Sequence, residues 1–412
     1  MEAAKGTVSR PFIVAAVALA FAGTSVGSVW MMSLFGTSLP IDTRAFSLHR
    51  TLQVDGFLTM LIMGVGYMIV PRFRNCGLPS RKLAYASFVI VAASIAFSIM
   101  SAFAGNNLSI VASALRLAGV VIFAATVFWM ARTKPRLLAL ADYFALVSVS
   151  VLVALSASRA AGYAPADTLA EVQAWLLFPI LMIFGVEYKT MPSFLGFIRP
   201  RKRLSRCTLV LAGASGALGV AAAYSGIAEI HTLFNVAFAA CSALLSASLY
   251  IFGGFDNSEI LRLISGEKKA RYTYTVLYAR ISFLFLFVAI ACSTLVSLGG
   301  EWSYVFHDLA IHYAAIGFVG ITIALYLPLM LPPITGRQVH FAKFSRIPAT
   351  LVVAALALRA AGDVAIVDRM SALPGSIAFA VSGWIVVAAL AVFVVMIHRS
   401  MQRPRQNVTE LR

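Results

Sequence analysis

Long apolar runs, separated by short loops, constrain this sequence more than any other feature. Twelve of these runs are long enough to cross a hydrocarbon core about 30 Å thick. In chain order they are Phe12–Phe35, Leu48–Val70, Leu83–Ala104, Leu108–Ala131, Leu137–Ser158, Leu169–Phe197, Thr208–Tyr224, Ile230–Gly253, Tyr272–Leu298, Trp302–Leu331, Ile347–Ala361 and Ser376–Ile397, the eleventh being the shortest. Because 60% of the 412 residues are hydrophobic and only 12% are charged, a soluble globular chain is excluded. We predict an all-α, polytopic membrane protein of about twelve transmembrane helices.

The loops between these runs are short, and none of them has the length or composition of a linker or a soluble domain. We therefore expect a single transmembrane domain over residues 1–412. A lipid bilayer would then surround most of its surface.

The positive charges predict an orientation for this domain. A net charge of +17 would suggest nucleic acid for a soluble chain, but here the basic residues lie in loops, so we expect no nucleic-acid partner. If the N-terminus with Lys5 and Arg10 is cytoplasmic, every basic loop is cytoplasmic too, and the opposite loops are short and free of lysine. This alternation predicts a plasma-membrane protein with both termini in the cytoplasm.

Three of the six histidines fall at a similar depth on three different runs. His49 and His231 each lie 22 residues before the expected inner end of their run, and His312 lies 20 before Pro332. At about 1.5 Å per residue, all three are about 30–33 Å from the inner face. His307 lies further out on the same run as His312.

Taken singly, each histidine is explained by an imidazole that forms hydrogen bonds at the membrane interface. Their shared depth favours a second interpretation. Neutral imidazole is the commonest metal ligand, and a bis-histidine haem takes one histidine from each of two helices. We therefore predict a metal or haem layer near the outer leaflet.

Arginines accompany this layer. Arg50 and Arg359 could pair with haem propionates, whose carboxylates match the guanidinium fork. For Arg44 and Arg159 at the outer rim, the simpler interpretation is that their side chains reach to lipid headgroups.

Other polar residues within the runs have a simpler expected role. Gln53, one turn after His49, could support its ring. Glu187 and Lys189, in the segment GVEYKTMP near the inner end of the sixth run, are expected to form a structural ion pair.

The tenth run resembles a known family. It carries His312, then Gly317 and Gly320, and leads into Ile334-Thr335-Gly336-Arg337. A histidine followed by glycines at these offsets and a Thr-Gly-Arg turn is similar to the NnrS family of haem- and copper-containing membrane proteins.

The second run is similar to that family and, more distantly, to catalytic subunits of haem-copper oxidases and nitric oxide reductases. It has His49 at its outer end, Gly56 two turns on and Val70-Pro71-Arg72 at its inner end. In that superfamily the second and tenth helices supply the two axial ligands of a haem. The resemblance therefore implies a haem-copper-oxidase-like bundle in which His49 and His312 bind haem.

The resemblance also implies a function. It suggests handling of nitric oxide or another diatomic gas, linked to nitrosative stress or respiration, with a respiratory electron donor and copper as a further cofactor. His231 and His307 are the weaker candidates for a second haem or a copper ion. The sixth and seventh runs contain no histidine, whereas the oxidases use histidines there to hold copper, so a conventional gas-reducing centre is not expected.

Two other functions remain open. A secondary transporter also commonly has twelve spans, and Arg116, Arg280 and Arg359 are compatible with one. Against it, the sequence has no clear internal repeat and no paired broken helices around a charged site at mid-membrane. A non-catalytic electron-transfer subunit of a respiratory complex is the third possibility.

Overall fold

The computed structural model describes residues 8–34, 44–104, 107–133, 139–194, 200–253, 266–296, 299–330, 346–367 and 372–402, and twelve of its helices are long and apolar enough to cross a membrane. In chain order the helices are α1 Ser9–Leu34, α2 Arg44–Arg74, α3 Arg81–Ala104, α4 Asn107–Thr133, α5 Leu140–Ala160, α6 Thr168–Phe194, α7 Lys202–Ser225, α8 Ala228–Ser248, α9 Gly266–Val296, α10 Ser303–Met330, α11 Ile347–Val367 and α12 Ala372–Gln402. The described residues contain no strand. The prediction of an all-α bundle with twelve spans is confirmed.

Several helix ends differ from the sequence prediction. Helix α2 continues through Pro71 to Arg74 and ends where Asn75 adopts a left-handed conformation with φ 48°, which suits an asparagine at a helix C-terminus. Helix α8 ends at Ser248, five residues before Gly253. The expected inner stop of the tenth run at Pro332 lies outside the described residues.

Helices α2, α6 and α10 form the centre of the bundle. Consecutive helices pack side by side, and α12 returns to pack against α1. Helix α6 contacts both α2 and α10, and α2 and α6 are the most buried spans, with 78% and 89% of their central windows inside the protein. Helix α6 is apolar on all sides over most of its length, as expected for a helix that is surrounded by others.

Helices α2 and α10 share an interruption of their α-helical hydrogen bonding. In α2, residues Thr51–Leu58 form a π-helical segment, and in α10 residues Tyr313–Gly320 do the same. Each segment is eight residues long and begins within two residues of a predicted haem ligand, His49 or His312. Such segments are rare and are frequently found at functional sites.

Phenylalanines fill the interior between α6, α8, α9 and α10. Phe184 stacks against Phe238 and Phe283 with ring centroids 6.5 and 6.4 Å apart, and it meets the edge of Phe318 at 5.8 Å. Phe283 and Phe318 are 5.3 Å apart. Because all but Phe238 are fully buried and Phe238 nearly so, this part of the bundle is a packed core.

Candidate functional site

A cavity of about 480 Å³ lies between α1, α2, α10, α11 and α12, with α6 at its edge. Its polar side chains come mostly from the end near His49 and the start of α10, and the rest of the lining is mainly aliphatic side chains and aromatic rings such as Phe393. Five of its polar lining residues were predicted from the sequence as site residues: His49, Arg50, His307, His312 and Arg359. The volume is in the range of about 300–1,000 Å³ that is usual for small-molecule and cofactor sites.

His49 is oriented by a neighbouring helix. Its Nδ1 lies 2.7 Å from the carbonyl oxygen of Gly23 on α1. A carbonyl oxygen can only accept, so Nδ1 carries the proton and Nε2 is the nitrogen available for coordination. Gly27, one turn further along α1, is required here, because a Cβ at this position would meet the His49 ring.

His312 is oriented by its own helix and by a carboxylate. Its Nδ1 donates to the carbonyl oxygen of Asp308 at 2.9 Å and lies 3.2 Å from Asp308 Oδ1. Nε2 of His312 is therefore also available for coordination. The same carboxylate receives two hydrogen bonds from Arg359 on α11, Nη2 to Oδ1 at 2.6 Å and Nε to Oδ2 at 2.5 Å.

The structure thus brings the two predicted haem ligands together. Both rings line the cavity, and so do Asp308 and Arg359. His307 lines the same cavity at its outer end. Helices α2 and α10 therefore each contribute a histidine to one cavity, and the binding of haem between them stays a prediction.

His231 lies elsewhere. Its Nε2 is 2.9 Å from Oε1 of Gln173 on α6, and its ring stacks on Phe234. The predicted shared depth depended on a helix that reaches Gly253, but α8 ends 17 residues after His231, at Ser248. That distance is only about 26 Å. Among the described residues, those that line the cavity of His49 and His312 do not include His231. The shared depth of the three histidines stays a prediction.

The described residues do not form a copper site. Within the described ranges, no group of three or more His, Cys, Asp or Glu side chains is arranged to hold a metal ion. The interior next to α6 and α10 is occupied by the phenylalanine core. The described residues therefore offer no set of three such side chains that would fit a copper ion.

Both site arginines already have a carboxylate partner within the protein. Arg50 Nη2 is 2.8 Å from Glu171 Oε2, and Arg359 holds Asp308. Arg359 also places Nη1 3.2 Å from the sulfur of Met31. Because its guanidinium is committed to Asp308, Arg359 is poorly placed for the propionate role expected of it. Arg50 commits only Nη2 and retains further donors.

Behind Arg50 lies a buried chain of charges that the sequence analysis missed. Arg159 binds Glu171 (Nη2 to Oε1, 2.5 Å) and approaches Asp55 (Nη1 to Oδ1, 3.4 Å), and Arg116 binds Asp55 with Nη1 to Oδ1 at 2.7 Å. The expectation that Arg159 reaches to lipid is therefore wrong. This charge chain ties α2, α4, α5 and α6 together. The sequence did contain a signal for this charge chain. Asp55 lies within an apolar run and Glu171 at the start of one, and a carboxylate in such a position needs a cationic partner.

Two other expected contacts differ in the structure. Gln53 donates to Thr24 Oγ1 at 2.8 Å and so ties α2 to α1. Lys189 donates to the carbonyl oxygen of Phe73 at 3.4 Å, whereas Oε2 of the buried Glu187 has no hydrogen-bond partner among the described residues. The expected Glu187–Lys189 pair is wrong because side chains two residues apart on a helix do not face each other.

Comparison with known proteins supports the architecture. No family model matches the chain, and no curated protein matches it. Among solved structures, a haem-copper terminal oxidase dimer determined by cryo-EM has a similar fold, with a TM-score of 0.69 at 12% sequence identity. The alignment covers 98% of this chain and 86% of the oxidase chain. At this identity the likeness establishes the fold alone. This chain is therefore a multi-pass membrane protein with the haem-copper oxidase fold.

Proposed function

We propose that this protein is a membrane haem protein of the NnrS type that binds nitric oxide or another diatomic gas and is linked to nitrosative stress or respiration. His49 and His312 would hold one haem between α2 and α10, and an electron donor of the respiratory chain would supply electrons. The membrane is the plasma membrane, with both termini in the cytoplasm, as the basic loops predict. The observation that carries the proposal is one cavity with two imidazoles, each with its Nδ1 engaged by a carbonyl oxygen.

The residues present fit a haem. Two neutral imidazoles with their Nε2 atoms available match bis-histidine ligation. The aliphatic lining suits a macrocycle, and the volume of about 480 Å³ lies within the usual range for a cofactor. Arg50 lines the outer end of the cavity and remains our candidate for a propionate partner, with Glu171 behind it.

Haem iron would supply one-electron exchange and affinity for diatomic gases. The protein's own side chains have three tasks. The hydrogen bonds to Nδ1 orient the two rings, the aliphatic lining keeps water away, and the charged groups at the outer end position the cofactor. If both imidazoles bound the iron, a gas could bind it only after one of the two histidine side chains had moved away.

A second candidate is a non-catalytic electron-transfer subunit. The anchoring of both imidazoles through Nδ1 favours it, because well-held axial ligands resist displacement. The phenylalanine core favours it as well, because the bundle interior next to α6 and α10 is filled. A secondary transporter is less well supported, since the fold is that of an oxidase rather than of a transporter.

Purification of the full-length protein with a haem assay and an optical spectrum tests the proposal. We expect one haem per chain and a six-coordinate, low-spin spectrum. Addition of nitric oxide to the reduced protein then separates the two candidates. A change to a gas-bound spectrum supports gas handling, and an unchanged spectrum with reversible oxidation and reduction supports electron transfer. Protein without haem would overturn both candidates, and the transporter would then lead.

A further inference from the structure

Asp308 links the second haem ligand to a buried cation. It lies one turn before His312 on α10, with Oδ1 3.2 Å from Nδ1 of that ring, and both of its carboxylate oxygens receive hydrogen bonds from Arg359. Asp308 and Arg359 are 9% and 7% exposed. The three side chains form a continuous arrangement of guanidinium, carboxylate and imidazole at the wall of the cavity.

This arrangement has a chemical consequence for the imidazole. A carboxylate next to the N–H of a ligating histidine fixes the ring and raises its basicity as a ligand. A buried carboxylate is costly without charge compensation, and Arg359 supplies it through a bidentate interaction, which is the strongest geometry for this pair. Arg359 therefore holds Asp308 in the position from which it faces Nδ1.

His49 provides an internal contrast. Its Nδ1 is bonded to a neutral backbone carbonyl, that of Gly23 at 2.7 Å. The two predicted ligands thus differ in the charge of the group that accepts their N–H. If both bind one iron, His312 is the stronger electron donor of the two.

We propose that Asp308 is a positioning residue that sets the donor strength of His312 and thereby lowers the reduction potential of the bound haem, with Arg359 holding the carboxylate in place. The proposal rests on the proposed function, since it requires a haem between His49 and His312. It assigns Arg359 to Asp308 and not to a propionate.

Charge alone would also change the potential, so the test separates charge from hydrogen bonding. The full-length protein is prepared as Asp308→Asn, Arg359→Gln and the double variant, and redox titration and electron paramagnetic resonance of the oxidised haem are recorded. Asp308→Asn should favour the ferrous form by on the order of tenfold, which is about 59 mV for one electron. In the double variant the net charge is that of the wild type. We expect it to keep most of the shift and an altered resonance signal, because the carboxylate is absent.

The control is Asp363→Asn. Asp363 lies one turn beyond Arg359 on α11, and it is fully buried, with both carboxylate oxygens without a hydrogen-bond partner among the described residues. Asp363 lies close enough to interact with Arg359 and Asp308, but it is not a partner of His312. This variant should retain the wild-type resonance signal.

The outcomes are distinct. A double variant with wild-type potential and signal shows that only charge mattered and overturns the positioning role. If the double variant loses haem while the thermal unfolding midpoint of its apoprotein is unchanged, the positioning role is supported. If haem and fold are lost together, Asp308 has a structural role instead. Wild-type protein without haem overturns the proposed function itself and is seen before any variant is made.

Discussion

Helices α2 and α10 contain the same structural arrangement in two different surroundings. Each carries a histidine with its Nδ1 engaged, followed by an eight-residue π-helical segment. In α2 the ring depends on a neighbouring helix, α1: the carbonyl oxygen of Gly23 accepts a hydrogen bond from its Nδ1, and Gly27 leaves room for the ring. In α10 the ring is held by the carbonyl group and carboxylate of Asp308 on its own helix, and Arg359 of α11 holds that carboxylate.

The difference indicates how each position is maintained. The π segment of α2 contains Asp55, which Arg116 and Arg159 hold from α4 and α5. The π segment of α10, YAAIGFVG, contains no charged residue and is held by packing, for example of Phe318 in the phenylalanine core. Changes to the π segment of α2 should therefore act through its charged partners on α4 and α5, and changes to the π segment of α10 should act through its apolar packing.

The largest expected effect comes from the histidines themselves. His49→Ala and His312→Ala should each abolish the six-coordinate, low-spin spectrum or convert it to a five-coordinate one, because each removes an axial ligand. His231→Ala and His307→Ala should retain the haem, and His307→Ala should affect at most gas binding. Retention of the wild-type spectrum by both His49→Ala and His312→Ala would show that the pairing of α2 and α10 is wrong.

The next largest expected effect is a loss of stability, and it comes from the charged residue in the π segment of α2. Asp55→Asn leaves Arg116 buried with a neutral partner, and breaking such a pair usually costs about 3–5 kcal/mol. Thermal unfolding in detergent should show a clear loss of stability. Arg81→Gln is the control, since Arg81 is exposed at the start of α3 and its loss should change stability little. An Asp55→Asn protein as stable as the wild type would mean that the charge chain does not hold the π segment of α2.

Much of the fold follows from sequence because hydropathy is a property of successive residues. The twelve spans needed only run lengths. Depth grouped His49, His231 and His312, and the prediction that His49 pairs with His312 came from the family resemblance. The predicted end of the eighth run was wrong because the polar end of α8, at Ser248, is not marked by charge. A five-residue error in a helix end changes an estimated depth by about 7.5 Å.

The contacts of the charged residues could not be predicted in the same way. The partners of Arg159 and Arg359 lie on other helices: Glu171 and Asp308 on the neighbouring helix in the chain, and Asp55 three helices away. The π segments were also invisible, because an apolar run has the same composition whether its hydrogen bonds are α- or π-helical. Spacing along the chain gives depth, whereas partner choice requires the packing of the whole bundle.

A smaller effect should distinguish the packing around His49 from the packing around the π segment that follows His312. Gly27→Ala places a methyl group against the His49 ring, and Gly317→Ala places one 2.6 Å from Cβ of Phe285 on α9. Such overpacking usually costs about 1–3 kcal/mol, so both variants should be less stable. Only Gly27→Ala should change the haem spectrum. Gly213→Ala is the control, because nothing lies within 4 Å of its new Cβ. Equal spectral changes in the Gly27 and Gly317 variants would remove the distinction between α2 and α10.

The smallest expected effect concerns Arg50, beside His49 on α2. Its partner Glu171 keeps Arg159 as a second cation, so Arg50→Gln should reduce stability by less than about 1 kcal/mol. If Arg50 also pairs with a propionate, loss of its positive charge should favour the ferric form by less than tenfold, because the side chain is partly exposed and its field is screened. A redox titration of the haem-loaded variant measures this shift. Its sign is opposite to that expected for Asp308→Asn, so the two variants compare the α2 and α10 sides of one cofactor. An unchanged potential with haem retained would assign Arg50 to the charge chain alone.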